Sequence, residues 1–289
     1  MISRSLVAIA LGAALVALPA ASATQPAAAP AAPQPSAAIF ESLVTNKAPA
    51  VVTVKFVLKI EPGGQEQESE VEGLVIDPKG LILCSNTQTG GFPAMVQRMM
   101  GGSFTATPTN IKVLAGEDTE GVSATLIARD SEMDLSWVRV DDPAGRTFTA
   151  VDIGAGVSPK LGESLYAVGR LGKFFDRAPV VQETRLGAIT RKPRRLFVPS
   201  SNTIGEFGSP VFNAEGGLVG VTVLQLPDPE DVDADSMGNM RQMMSVVILP
   251  AEDIAKATKR ALEVAGAEKP VNSAPPGTAT SPAQGKDQK

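Results

Sequence analysis

The chain has 289 residues, 43% hydrophobic and 20% charged, a balance that builds a buried core and is too apolar for a disordered chain. Its formal charge of −5 argues against nucleic acid as a partner, because non-specific binding of that kind needs a basic surface. It has one cysteine and no histidine, which excludes an intramolecular disulfide and any mechanism that needs an imidazole base.

Taken in chain order, residues 1–23 read as a secretory signal peptide. Arg4 supplies the positive start, 6–18 form an apolar run, and Ala21-Ser22-Ala23 gives the small-residue cleavage pattern. The run is short for a bilayer span, and a retained N-terminal anchor is the alternative reading. Residues 24–36 are nearly all Ala, Pro and Gln and are expected to form a disordered linker. The folded unit is expected over 37–267, followed by a disordered tail over 268–289 that leaves no room for a further module. The mature protein is expected to be periplasmic or secreted, with no membrane span after signal cleavage.

Strand signals dominate the folded unit. They fall at 51–60, 71–76, 81–84, 111–114, 122–128, 135–140, 164–168, 180–190, 196–198, 210–212, 218–224 and 246–249. Turn residues separate them, as in Asp77-Pro78-Lys79-Gly80 and Asn213-Ala214-Glu215-Gly216-Gly217. Helical spacing appears only at 38–45 and 251–265. A dozen short strands between two terminal helices predict an all-β barrel or sandwich. Cys84, inside Leu81-Ile82-Leu83-Cys84, reads as a small buried hydrophobe.

Three segments in order carry a resemblance. Gly73-Leu74-Val75-Ile76-Asp77-Pro78-Lys79-Gly80-Leu81-Ile82-Leu83 is similar to the hairpin that precedes the catalytic histidine in the HtrA/Deg branch of the chymotrypsin-like (trypsin-like) serine proteases. Asp130-Ser131-Glu132-Met133-Asp134-Leu135-Ser136 resembles that branch's motif around the triad aspartate. Gly205-Glu206-Phe207-Gly208-Ser209-Pro210-Val211 resembles the segment around its nucleophilic serine. The resemblance implies a chymotrypsin-like double six-stranded β-barrel, with barrels over about 37–145 and 146–267 and short N- and C-terminal helices. It also implies that Thr87 stands at the histidine position, Asp134 at the aspartate and Phe207 at the nucleophile, with Gly205 and Gly208 as the remnant of an oxyanion loop. Proteases of this branch usually carry a PDZ module after the protease domain, and none is expected in the tail.

A serine hydroxyl needs an adjacent base to attack a peptide bond, and the triad supplies it as histidine. Thr87 is no base near neutral pH, and Phe207 has no nucleophilic atom. The expectation is therefore a pseudoprotease that binds exported proteins or peptides; the alternative is an active endopeptidase with an unconventional site. Ser209, two residues past the nucleophile position where the family has glycine, is expected to project elsewhere than a nucleophile would.

Two methionine clusters, Met95, Met99 and Met100, and Met237, Met240, Met243 and Met244, are the candidate binding residues, since flexible thioethers suit varied apolar partners. Neither has a histidine or second cysteine to complete a copper site. Asp231, Asp233 and Asp235 are spaced like calcium-loop ligands, but Ser236 and Gln242 stand where such a loop needs Gly and Glu. No metal and no cofactor is assigned.

Overall fold

A computed structural model describes residues 35–93, 97, 105–143, 145–201, 204–226 and 245–267. Six strands build a first closed barrel: β1 (Val51–Glu61), β2 (Gln65–Asp77), β3 (Leu81–Ser85), β4 (Thr105–Leu114), β5 (Val122–Asp130) and β6 (Leu135–Val140). Six more build a second: β7 (Ser164–Arg170), β8 (Pro179–Ile189), β9 (Phe197–Pro199), β10 (Pro210–Phe212), β11 (Leu218–Gln225) and β12 (Ser245–Pro250). The strand orders are β1-β2-β3-β6-β5-β4 and β10-β11-β12-β9-β8-β7, antiparallel throughout. Closure leaves neither sheet with an edge. Helices α1 (Pro35–Asn46) and α2 (Ala251–Ala267) flank the barrels. Among the described residues no helix is long and apolar enough to cross a membrane.

The double barrel thus matches the architecture expected from sequence, and its burial explains why so many strands read as continuous apolar runs. Successive strand side chains point to opposite faces. On β3, Ile82 and Cys84 fill the first barrel while Leu81 and Leu83 point outward. On β6, Val138 and Val140 point in, and Leu135 and Trp137 point out. In the second barrel Leu165, Ala167 and Ile248 point in, and Tyr166, Val168, Val247 and Leu249 point out. The outward residues of both barrels meet in one cluster, which α1 joins through Leu43 and α2 through Ile254, Ala257 and Ala261. Two barrels sharing a core have apolar residues on both faces of their contacting strands.

Departures from the expected boundaries have physical causes. β2 starts at Gln65 rather than 71 and β4 at Thr105 rather than 111. The added half of β2 is polar and mostly solvent-exposed, and that of β4 is polar apart from the buried Ala106; both pair with the far end of β1, as in Ile60 with Gln65 and Glu61 with Thr105. One small apolar residue among polar ones leaves too little alternation to read. Helix α1 starts at Pro35, two residues inside the stretch expected to be linker, with proline at the first helical position where its missing amide costs nothing.

Cys84 is buried and its thiol is pushed up to about 12 by burial, so it is an inert filler of the first barrel. Trp137 docks the C-terminal helix, with Nε1 donating to Thr258 Oγ1 at 3.0 Å in a buried site. Ile254, fully buried on the same helix, is the apolar part of that contact. Ile254→Ala is expected to lower unfolding free energy by about 2–5 kcal/mol in chemical denaturation; a loss within experimental error would show that α2 is not part of the cooperative core.

Candidate functional site

Asp134 ends the turn between β5 and β6. Asp130 Oδ1 accepts from the amides of Glu132 at 3.1 Å and Met133 at 3.0 Å, and this turn delivers Asp134 at φ 55°, a left-handed conformation that Asp tolerates better than most residues. The carboxylate points inward and is 2% exposed. Ser85 Oγ donates to it at 3.0–3.1 Å, the Thr87 amide at 2.7 Å and the Leu224 amide, on β11 of the second barrel, at 2.9 Å. The Asn86 amide donates to the Asp134 carbonyl at 3.1 Å. A buried carboxylate that accepts two amides and a hydroxyl is held as an anchor between barrels.

The segment after β3 is fixed in turn. Arg129 donates to Asn86 Oδ1 at 2.7 Å and to the Thr89 carbonyl at 2.6 Å, while Asn86 Nδ2 donates to the Gly91 carbonyl at 2.8 Å. Thr87 is thereby set beside Asp134 through its backbone only. Its Oγ1 is shielded from water and has no partner among the described residues.

A second carboxyl crosses between the barrels. Glu72, on β2, accepts from the Arg170 amide at 2.5 Å and from Ser209 Oγ at 2.5 Å, and Ser209 Oγ accepts from the Glu206 amide at 2.9 Å. Gly169 allows this approach: a Cβ there would lie 2.5 Å from Glu72 Oε1. Burial pushes the Glu72 carboxyl above its ordinary range; the Ser209 and Arg170 donors pull it down, and the Glu206 charge pushes it up again. Ser209 is fully buried and lies on this contact.

The 205–208 loop is committed internally. The Gly205 amide donates to Gln182 Oε1 at 2.6 Å, the Glu206 amide to Ser209 Oγ, and the Gly208 amide to the Thr222 carbonyl at 2.7 Å. Gly208, at φ 91°, also packs where a Cβ would stand 3.1 Å from the Ser85 amide nitrogen. Thr222 Oγ1 donates to the Glu206 carbonyl. Phe207 is half-buried and joins none of the three hydrophobic clusters.

Beside this loop a cavity of about 300 Å³ opens between the barrels, with Glu72, Val71 and Thr53 on one wall and Arg170, Gln182 and Glu206 on the other. The structure therefore brings Thr87, Asp134, Gly205 and Gly208 into one region. Met95, Met99, Met100, Met237, Met240, Met243 and Met244, and the acidic run 228–235, lie outside the described residues. Among the described residues no group of three or more His, Cys, Asp or Glu could hold a metal ion. Sequence reasoning missed Glu72 and Arg170. Glu72 continues the row Glu66, Glu68, Glu70 on one strand face, and only tertiary contact separates the buried member from the wet ones.

Comparison with known proteins converges on one fold. A model of the family described as trypsin-like peptidase domain matches residues 71–221, more than half of the chain. A probable periplasmic serine endoprotease, DegP-like, of Hahella chejuensis (strain KCTC 2396) is 26% identical over 168 residues, 55% of this chain and 30% of that protein. The match spans less than a third of that relative's length. The crystal structure of Deg5 superposes with a TM-score of 0.51 at 14% identity, covering 75% of this chain and 90% of its own. The MamO protease domain from Magnetospirillum magneticum (apo form) gives 0.46 at 15% identity, covering 73% and 97%.

Asp134→Ala strands the Thr87 and Leu224 amides and the Ser85 hydroxyl, and is expected to cost about 3 kcal/mol or more, measured by denaturant unfolding. For Glu72 the sign runs toward acid. Its folded pKa lies above the ordinary 4.5, so its contribution is fully present below that value and is lost as pH rises through the raised pKa. The melting temperature of the native protein relative to Glu72→Gln is expected to fall from acid to neutral pH; a constant difference would contradict the assignment.

Proposed function

The chain is an HtrA-like member of the trypsin-like peptidase domain family, and we propose that it is an exported member that binds peptides or proteins in its cleft without cleaving them. The observation that carries this reading is the absence of histidine from the whole sequence; Thr87, which the motifs align with the base, meets Asp134 through its backbone amide. Without an imidazole no group beside Asp134 takes a proton from an attacking hydroxyl or returns it to a leaving amine. Phe207, at the nucleophile's place, has no atom to attack with. Of the two amides that would form an oxyanion site, at 205 and 207, that of Gly205 is already donated to Gln182 Oε1, which argues against an intact site.

Binding is supported by what the site keeps. The cleft holds a cavity with mixed polar and apolar walls, and Phe207, which follows its lining residue Glu206 in the chain, is a half-buried aromatic outside every core cluster, a residue type that often anchors recognition. The Met-rich segment 237–244 offers a second, adaptable contact. Export is supported by the signal-peptide pattern over 1–23 and by the periplasmic designation of the Hahella relative.

Incubation with unfolded casein is expected to give saturable retention and no fragments. Cleavage that co-purifies with the protein and disappears in a folded Asp134→Asn variant would overturn the reading. Deletion of 237–244 is expected to weaken casein retention, and unchanged retention would remove the methionines from the binding surface.

A further inference from the structure

The polar groups around the inter-barrel cavity are unequally matched. Arg170, the cation among the described lining residues, is largely engaged: Nε donates to the Val51 carbonyl at 2.5 Å, Nη2 to the Ala48 carbonyl at 3.1 Å and Nη1 to the Arg177 carbonyl at 3.1 Å, three of its five N–H donors. Arg177, in the turn after β7, is paired with Glu70 at 2.7 Å. Acceptors are left over. The Glu206 carboxylate lines the second-barrel wall with no partner among the described residues, and on the facing wall Gln88 has its Oε1 buried without one. Glu72 places a second carboxyl on the wall opposite Glu206. The remaining surface includes Val71, Leu171 and Val180, apolar contacts of the kind that an aliphatic stem covers.

An unmatched acceptor set beside an apolar wall fits a side chain that is a hydrocarbon stem ending in charged donors. From this we propose that the cavity receives the side chain of an arginine or lysine in a bound peptide, with Glu206 as the ion-pair partner and Glu72 as the facing carboxyl. The proposal rests on the peptide-binding reading and names the residue class that the site selects. A cation seated there also favours the ionised form of Glu72, as the Arg170 charge already does and the Glu206 charge opposes, so binding releases a proton and tightens as pH rises through the titration of Glu72.

Two peptides test it, acetyl-Ala-Ala-Arg-Ala-Ala-amide and the same peptide with citrulline, which keeps the shape of arginine and removes its charge. In calorimetric titrations at low salt the arginine peptide is expected to bind roughly fivefold or more tightly than the citrulline peptide. Glu206→Gln, a change at an exposed and unpaired side chain, is expected to abolish most of that preference with the fold intact. Glu72→Gln is expected to flatten its rise with pH. Equal affinity of the two peptides would overturn the proposal and leave the binding reading standing. No binding of either would overturn both.

Discussion

Two carboxyl groups of the first barrel hold the second one in place. Asp134 binds the Leu224 amide of β11, and Glu72 binds the Arg170 amide of β7 and the Ser209 hydroxyl. Arg170 returns the contact by donating its guanidinium to the carbonyls of Ala48 and Val51 at the start of the first barrel. Around these polar bonds lies the apolar cluster shared by both barrels and both helices. The apolar contact supplies non-directional burial energy; the carboxylates fix how the barrels register. The cleft, the cavity and the 205–208 loop all inherit their shape from that register.

The same geometry accounts for the chemical character of the site. Within the protease family the carboxylate at the position of Asp134 orients an imidazole, whereas here it accepts from backbone and from Ser85. Ser209 stands where the resemblance places glycine, and its hydroxyl links Glu72 to the amide of Glu206. A residue that departs from the family pattern has thus been absorbed into the barrel contact, and the loop that would receive an oxyanion is bonded to its own neighbours. Most polar groups of the site work as fixings, and the unpaired Glu206 carboxylate lines the cavity.

Much of this fold is legible in the sequence because both faces of the contacting strands are apolar. Runs such as Leu81-Ile82-Leu83-Cys84 and Leu135-Ser136-Trp137 stand out before any partner is known. The polar halves of β2 and β4 do not, because one small apolar residue among polar ones leaves too little pattern. The site is legible only in part. Thr87, Asp134 and Phe207 follow from the motifs that surround them. Glu72 does not, because its row of glutamates reads as solvated and its partners lie 98 and 137 residues away in the second barrel. The buried pairing of Ser209 was hidden for the same reason, although its departure from glycine marked the position.

The central claim is that no nucleophile in this chain is activated. Exposure of the native protein to a fluorophosphonate probe, followed by intact mass measurement, tests it directly, since such probes form a covalent adduct only with an activated hydroxyl. The account predicts an unmodified mass at probe concentrations that label a serine protease completely. A stoichiometric adduct on any serine, Ser209 above all, would contradict it.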